Sequence, residues 1–232
     1  PDPADPGALD PESKTLKRDG KLILDESDSY GVEMALQLVG DSGEVTLVSM
    51  APNGEVSGLR TALAMGAAKA VLVSDDALKG SDALTTAKVL AAAIGKAGEY
   101  DLVLAATESS DGYTGVVPEQ IAAVLGLPSV TFAKSVTIDG DTVKVDRQTE
   151  AGYDEVVSPL PAVVSVTAGV VEPRYPSFKG IMAAKSKPVD QLTLADIGIE
   201  ASNAGWAGAG QEIIEVATAA QREAGEIIED DG

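Results

Sequence analysis

The segment of residues 107–118, TESSDGYTGVVP, has the composition of a loop that binds an anion. It follows a short apolar run and precedes a helix-forming run, and ligands of open α/β sheets bind at such junctions. Gly112 and Gly115 would let backbone N–H groups approach a phosphate closely, and Thr114 adds a hydroxyl. Neither a GxGxxG nor a Walker A pattern is present, so an ordinary strand–helix loop capped by Asp111 is an equally good interpretation.

A second loop, with Ser49, Met50 and Ala51, follows another apolar run. It would lie beside the first loop if both strands are central in the sheet. Asp28 belongs to an acidic group, within residues 25–28, that precedes the first predicted helix. Because the helix dipole stabilises carboxylates at a helix N-terminus, a solvent-exposed position there is the favoured interpretation of this group.

The third candidate is the segment of residues 172–187, EPRYPSFKGIMAAKSK, which two prolines stiffen. Its lysines, Lys179, Lys185 and Lys187, mark it as facing solvent. Its candidates for recognition of a partner are Arg174, Phe178, Ile181, Met182 and Lys185. The arginine could pair with a carboxylate or a phosphate, and apolar residues among lysines suit docking on an acidic partner. An internal ion pair for the arginine and a place in the core for the apolar residues are the alternatives.

The composition excludes several classes of protein. The chain has 232 residues, no Cys, no His and a net charge of −20. Disulfide frameworks, thiolate metal sites, Ser–His–Asp triads and the usual zinc sites are therefore not expected. The acidity argues against nucleic acids and anionic membranes as partners. No apolar run reaches the roughly 18 residues that a membrane-spanning helix needs, so we expect no such helix.

Apolar strand-like runs alternate with helix-like runs in the first half of the chain. Strands are predicted at residues 45–50, 70–73 and 101–106, and helices at 29–39, 59–66, 84–94 and 119–125. Short, wholly apolar strands that alternate with helices are typical of a parallel sheet covered on both faces. The predicted fold class is therefore α/β.

The pattern changes after residue 128. Residues 130–138 and 142–145 flank Asp139-Gly140-Asp141 and predict a β-hairpin, with a third strand at 154–157 and a buried strand at 161–167. The tail after residue 201 has helix-like spacing of its apolar residues, from Ile213 to Ala224. Because this tail cannot form a core alone, it should dock on another surface or stay mobile.

Three motifs make the sequence similar to the β subunit of electron-transfer flavoprotein over about residues 1–200. They are LRTALAMGAAKAVLV (59–73), ESSDGYTGVVPEQIAAVLGLPSVTFA (108–133) and the segment 172–187 given above, which is close to diagnostic. The resemblance implies a Rossmann-like fold of the adenine-nucleotide alpha hydrolase type: a mostly parallel sheet with helices on both faces, a β-hairpin and a C-terminal arm. It divides the chain into a nucleotide-binding domain, 1–200, and an arm, 201–232, that docks on the partner subunit.

The resemblance also implies a function and partners. Such β subunits pair with an α subunit that carries a redox-active FAD. The heterodimer takes electrons from acyl-CoA and other dehydrogenases and passes them to a quinone oxidoreductase. The β subunit would be a carrier subunit without catalytic residues, holding AMP in its own fold, and serving fatty acid β-oxidation in a bacterial cytoplasm. In electron-bifurcating relatives a second FAD takes the place of AMP.

Carried over by position, the resemblance places the nucleotide pocket at Asp28, Ser49, Met50, Ala51, Asp111, Thr114, Gly115, Val116 and Val117. Backbone N–H groups of the loop that contains Asp111 and Thr114 to Val117 would hold the phosphate. Family members often have Asn in place of Asp28 and Gln in place of Val116, so two side-chain partners of the nucleotide are missing here. The bifurcating subfamily typically has an acidic residue where Tyr113 stands, which favours AMP over FAD.

The segment 172–187 corresponds to the recognition loop of the family, with Phe178 as its apolar anchor where many relatives have Leu. The family's first strand would precede Pro1, so we expect a short further segment there. Two alternatives stay open. One is a bifurcating subunit with its own FAD and an NADH site, and the other is a universal-stress-type adenine-nucleotide sensor.

Overall fold

The structure, a computed structural model, describes residues 2–3, 9–18, 20–110, 112–217 and 225. Its strands are β1 (Asp2–Pro3), β2 (Leu9–Asp10), β3 (Thr15–Leu16), β4 (Leu22–Ile23), β5 (Thr46–Ala51), β6 (Lys69–Ser74), β7 (Leu102–Ala106), β8 (Ser129–Asp139), β9 (Thr142–Thr149), β10 (Gly152–Pro159), β11 (Ala162–Val166) and β12 (Val189–Leu192). Its helices are α1 (Glu26–Val39), α2 (Ser57–Met65), α3 (Ala83–Ala97), α4 (Val117–Leu125), α5 (Phe178–Ala184) and the short α6 (Gly205–Gly208). The strands and helices that the alternating pattern predicts are present, with their ends shifted by a few residues.

These strands form two main sheets. One is three-stranded and parallel, in the order β12, β6, β5, and the other has five strands in the order β10, β9, β8, β11, β7. β11 runs parallel to β7 and β8, whereas β8, β9 and β10 form an antiparallel meander. Among the described residues, β5 and β7 each have one edge that pairs with no strand, and both line one cavity. The strand expected before Pro1 lies outside the sequence and stays a prediction.

Helices cover both faces of the parallel strands, as wholly apolar strands require. All five residues of β11 are buried. Val164 and Val166 pack in a cluster with Met34 of α1. Val163, whose side chain points to the opposite face, packs in a cluster with Ile121 of α4. The predicted α/β class is therefore confirmed.

The antiparallel meander confirms the predicted hairpin, which turns at Gly140 with φ +60°. The third strand, β10, is longer than expected and pairs with β9 along its whole length. A bulge in β8 was not predicted: Phe132 has φ +56°, and the register shifts between Ala133 and Ser135. The Phe132 N–H donates to the buried Ser165 hydroxyl at 3.1 Å, so a side chain of the neighbouring strand replaces a main-chain acceptor.

The described part of the C-terminal tail packs on the chain itself, beside the start of α3. Trp206 covers Gly80, where a Cβ would lie 2.0 Å from the indole ring. The backbone N–H of Trp206 donates to the Lys79 carbonyl at 2.9 Å. The Gly210 N–H donates to Asp82, the N-cap of α3, at 2.8 Å. The tail is thus fixed by the Trp206 side chain and by main-chain hydrogen bonds near the start of α3.

Residues 211–217 contain no regular helix, despite the helix-like spacing of their apolar residues. The Lys14 Nζ donates to the carbonyls of Ile213 and Ile214 at 2.9 and 2.6 Å, so these carbonyls bind a distant side chain. The rest of the spacing pattern, up to Ala224, lies outside the described residues. The division of the chain at residue 200 and the docking of the arm on a partner subunit stay predictions.

Candidate functional site

A cavity of about 2070 Å³ runs along the unpaired edges of β5 and β7, from Val45 and Tyr100 at their amino ends to the loops that follow their carboxyl ends. The loops that follow these two strands both contribute to its lining, and the first turns of α1 and α4 add further residues. The two loops singled out in the sequence therefore share one cavity. In open α/β sheets, ligands bind at the carboxyl ends of the strands, where these two loops lie.

Helix α4 reaches this cavity with a first turn that its own N-cap does not satisfy. The N-cap, Val116, makes no side-chain hydrogen bond. By contrast, α1, α3 and α5 begin at Asp25, Asp82 and Ser177, whose side chains accept from first-turn N–H groups. The first N–H groups of a helix have no partner inside the helix and attract negative charge. Helix α4 therefore offers an anion-attracting end to the cavity.

The loop before α4 has an unusual backbone. Gly115 has φ +62° and Tyr113 has φ +47°, although Tyr113 carries a side chain. A left-handed backbone costs a residue with a side chain roughly 1–2 kcal/mol, so the loop holds strain at Tyr113. A Cβ at position 115 would meet the Glu108 carboxylate at 3.4 Å. Gly115 thus leaves this part of the cavity wall without a side chain.

The cavity collects most of the residues that were assigned to a nucleotide pocket. Its lining includes Asp28, Ser49, Met50, Ala51, Thr114, Gly115 and Val117. Val116 does not belong to the lining, and it is 41% exposed. Asp111 lies outside the described residues. These seven residues all line the cavity, whereas their binding of a nucleotide stays a prediction.

The acidic group before α1 divides into two roles. The Asp25 Oδ1 accepts from the N–H groups of Ser27 and Asp28 at 2.7 and 3.3 Å, so Asp25 is the N-cap of α1. Asp25 is thus at the helix N-terminus as expected, but it is buried, so the solvent-exposed interpretation is wrong for this residue. Asp28, in the first turn of the helix, is exposed, which confirms the favoured interpretation for this residue, and it also belongs to the cavity lining.

Two groups of cavity residues are not predicted by the sequence analysis. One is basic and comes from the N-terminal region: Lys14, Lys17 and Arg18. The other comes from the C-terminal tail, with Trp206 and Ile213 among its members. The basic run is a visible signal in a chain of net charge −20. The tail gives no such signal, because main-chain groups hold it in place.

Helix α5 presents a second candidate site, which we call the α5 surface. The exposed side chains of this surface are Phe178, Lys179, Ile181, Met182 and Lys185. Phe178 is 80% exposed. The alternative that the apolar residues belong to the core is therefore wrong, whereas their role in recognition stays a prediction.

Lys187, in contrast, does not face solvent. Its Nζ donates to the carbonyls of Leu63 and Ala67, at the C-terminal end of α2, at 2.9 and 2.6 Å. The last carbonyls of a helix have no partner inside the helix, so an ammonium group there is stabilising. The interpretation of Lys187 as a solvent-facing charge is wrong.

Arg174 makes an internal ion pair with Glu33 of α1. Its Nε and Nη2 donate to the two carboxylate oxygens at 2.7 and 2.9 Å, and its backbone N–H donates to the same carboxylate at 3.2 Å. The internal ion pair that the sequence analysis gave as an alternative is therefore present, and it ties the segment 172–187 to α1. Because 46% of the Arg174 side chain is still exposed, its role in recognition stays a prediction.

The carboxylate of this pair is almost fully buried, with 4% of the Glu33 side chain exposed. Burial raises the pKa of Glu33, but hydrogen bonds from Arg174 and Gln37 lower it by more, so the pKa lies below its ordinary value of 4.5. The same pair raises the pKa of Arg174. The stability that the pair contributes is therefore present above pH 4.5 and lost as the pH falls through the lowered pKa.

The fold defines a class: Rossmann-like α/β proteins, here with a cavity that reaches the carboxyl ends of parallel strands. Across the residues that the structure describes, no cluster of acidic side chains could hold a metal ion. No helix in that part of the chain is both long and apolar enough for a membrane crossing. Comparison with known proteins then gives the family. Residues 14–197 match the electron transfer flavoprotein domain, and the chain belongs to the electron transfer flavoprotein family as one of its beta subunits.

Relatives resemble nearly the whole chain. The electron transfer flavoprotein subunit beta of Mycobacterium leprae (strain TN) is 43% identical over 225 residues, which cover 94% of this chain and 85% of that protein. The protein of the same name from Thermoanaerobacterium thermosaccharolyticum is 38% identical over 95% of this chain and 85% of its own length. The caffeyl-CoA reductase-Etf complex subunit CarD of Acetobacterium woodii is 34% identical over the same shares. This membership removes the universal-stress-type sensor from the alternatives.

Proposed function

We propose that this chain is the β subunit of a heterodimer that carries electrons from acyl-CoA and related dehydrogenases to a quinone oxidoreductase. The observation that carries the proposal is the 43% identity, over 94% of the chain, to a protein named as an electron transfer flavoprotein subunit beta. In this proposal the redox-active FAD belongs to an α subunit. The chain is then an electron-carrier subunit, without catalytic residues of its own, that serves fatty acid β-oxidation in the bacterial cytoplasm.

The proposal includes AMP in the cavity beside α4. The first turn of α4 would hold the phosphate through main-chain N–H groups, with Thr114 as a hydroxyl donor. Gly115 leaves room for the phosphate to approach the backbone. The residues present therefore fit a nucleoside monophosphate. The cavity of about 2070 Å³ exceeds the roughly 300–1,000 Å³ of typical ligand pockets, so its volume alone does not select AMP over a larger nucleotide.

The C-terminal arm is the part of the chain that we expect to reach the α subunit and support its FAD. Ile214 is 82% exposed, while its carbonyl is held by Lys14. An extended stretch that exposes apolar side chains suits docking on a second protein.

The α5 surface is proposed to bind the electron-donating dehydrogenase. Phe178 supplies a large, exposed apolar anchor, with Ile181 and Met182 beside it. Lys179 and Lys185 place positive charge around this anchor in a chain of net charge −20. Such a local charge steers an acidic partner, while the aromatic anchor, once the partner buries it, provides most of the binding energy.

Replacing Gly115 with alanine tests the nucleotide site. At φ +62° the new Cβ makes the backbone unfavourable, and it also adds a methyl group to the cavity wall. We expect the nucleotide content of the purified heterodimer to fall, with an affinity loss of about tenfold for roughly 1.4 kcal/mol. The measurement is AMP released by denaturation, quantified by mass spectrometry.

Gly126→Ala is the matched control. Gly126 ends the same helix with φ +68°, has no atom within 4 Å of its Cβ position and does not line the cavity. Both variants should lose a similar roughly 1–2 kcal/mol of stability from the left-handed backbone, but only Gly115→Ala should lose nucleotide. Equal nucleotide content in the two variants would show that the assignment of this loop is wrong.

Co-expression with the α subunit encoded by the same organism tests the function as a whole. We expect a yellow heterodimer that a purified acyl-CoA dehydrogenase reduces, and a colourless β subunit when it is expressed alone. The extracted nucleotides should be FAD and AMP. A chain that turns over a substrate without any companion would contradict the proposal.

A second candidate function is an electron-bifurcating subunit with its own FAD and an NADH site. The 34% identity to the CarD subunit of a caffeyl-CoA reductase-Etf complex favours it. Tyr113 stands against it, because the resemblance places an acidic residue there in bifurcating proteins. Two flavins per heterodimer, measured by visible absorbance of the extract, would support bifurcation, since adenine alone does not absorb visible light.

A further inference from the structure

We propose that Arg60 and Lys187 are positioning residues that hold the α5 surface in the place where its partner reads it. The inference rests on the proposed role of this surface in binding a dehydrogenase. It adds that the surface is formed before the partner arrives, and that two cations within the fold form it.

The two cations interlock α2 and α5. The Arg60 Nη1, from α2, donates to the carbonyls of Ala184 and Lys187 at 2.7 and 2.6 Å. The Lys187 Nζ donates in return to the carbonyls of Leu63 and Ala67, at the end of α2. Each cation therefore binds one carbonyl in the last turn of the opposite helix, Ala184 or Leu63, and one in the segment just after that helix.

Helix α5 needs such support because it is only seven residues long. Isolated helices shorter than roughly 12–15 residues are marginal in water, so α5 depends on contacts outside itself. Its N-terminal end is held by the Ser177 side chain, which accepts from the Gly180 N–H at 3.0 Å. Its C-terminal end is held by Arg60.

The contact between the two helices is also close. A Cβ at Gly180 would lie 2.4 Å from the Ala64 carbonyl oxygen of α2. Ala184, one turn later on the same face, is 3% exposed and belongs to the cluster that contains Ala64. With this face against α2, the opposite face, with Phe178, Ile181 and Met182, points outward.

Both ends of the segment 172–187 are therefore fixed to different helices. Arg174 binds Glu33 of α1 before the helix begins, and Lys187 binds α2 after it ends. A surface held in this way loses less conformational entropy on binding than one that must become ordered, which strengthens binding without adding a contact.

The test uses Arg60→Met and Lys187→Met in the heterodimer, with Lys187→Arg as the conservative variant and Lys144→Met, in the exposed hairpin, as the control. We call Arg60 and Lys187, with the carbonyls that they bind, the clamp. We expect the apparent KM for a purified acyl-CoA dehydrogenase to rise about tenfold in Arg60→Met and in Lys187→Met, the two clamp variants. The kcat and flavin content should not change, Lys187→Arg should restore the KM, and Lys144→Met should leave it unchanged. Faster hydrogen exchange of residues 178–186 should accompany the loss.

Combination with Phe178→Ala separates positioning from a general loss of stability. If the clamp acts through the α5 surface, Arg60→Met combined with Phe178→Ala raises the KM no further than Phe178→Ala alone. Additive effects, or a wild-type KM in both clamp variants while Phe178→Ala raises it, overturn the clamp and leave the proposed function intact. A wild-type KM in Phe178→Ala itself overturns the recognition role and this inference with it.

Discussion

Replacing Phe178 with alanine is expected to raise the apparent KM of the heterodimer for its dehydrogenase by about 30-fold. The side chain is 80% exposed on the free chain, so it is available for burial by a partner. Truncation of an aromatic anchor costs about 2 kcal/mol or more, and each 1.4 kcal/mol corresponds to a factor of ten. The measurement is the steady-state rate of reduction by a purified acyl-CoA dehydrogenase as a function of heterodimer concentration.

Two further variants make this result specific. Phe178→Leu keeps an apolar anchor and should retain a KM within a few fold of the wild type. Tyr153→Ala removes an aromatic side chain of half exposure from β10, in the meander, and should leave the KM unchanged. A loss of flavin in Phe178→Ala with an unchanged KM would show that the residue supports the cofactor rather than the partner.

The local pattern of the sequence determines the elements that are predicted well. The strands of the parallel sheets are short apolar runs because both of their faces are covered, and the helices between them end at glycines such as Gly40. Asp82, which directly precedes α3, is its N-cap, and the carboxylate accepts from the Thr85 N–H. These features depend on neighbours within a few residues, so a single sequence reveals them.

The features that were missed depend on distant residues. Glu33 and Arg174 are 141 positions apart, and Lys187 lies 124 positions from Leu63. A charged residue carries no local mark of such a partner, so Lys187 was read as a solvated charge. The bulge at Phe132 has the same origin, because its acceptor is on another strand.

The candidate site shows a third kind of limit. The resemblance assigns residues to the site by their position along the chain, and seven of the nine assigned residues line one cavity. It does not give the direction of each side chain, and Val116 is the residue for which this matters. Since Val116 is the N-cap of α4, its backbone lies beside the anion-attracting end while its side chain is turned to solvent.

The largest effect on stability is expected for Arg174→Met. The variant removes the guanidinium but leaves Glu33, with a side chain that is only 4% exposed, without its counter-charge. An unpaired buried charge costs about 1–3 kcal/mol or more, so we expect a loss of about 2 kcal/mol at pH 7. The measurement is urea unfolding of the purified heterodimer, with wild type and variant compared at the same pH.

The pH dependence of this loss identifies its cause. In the wild type, the hydrogen bonds from Arg174 and Gln37 outweigh burial and keep the Glu33 pKa below 4.5. In the variant, burial dominates and the pKa rises, so the carboxyl binds a proton more readily and the penalty disappears on acidification. The difference in the free energy of unfolding between wild type and variant should therefore shrink as the pH falls towards 4.5 and below.

Glu33→Gln added to Arg174→Met should restore much of the stability at pH 7, since no buried charge remains. Arg147→Met, which removes a loose surface pair with Asp154 at 3.9 Å, should cost at most about 1 kcal/mol. If Arg174→Met costs no more than this control, or costs the same at every pH, the ion pair does not anchor the segment that carries the α5 surface.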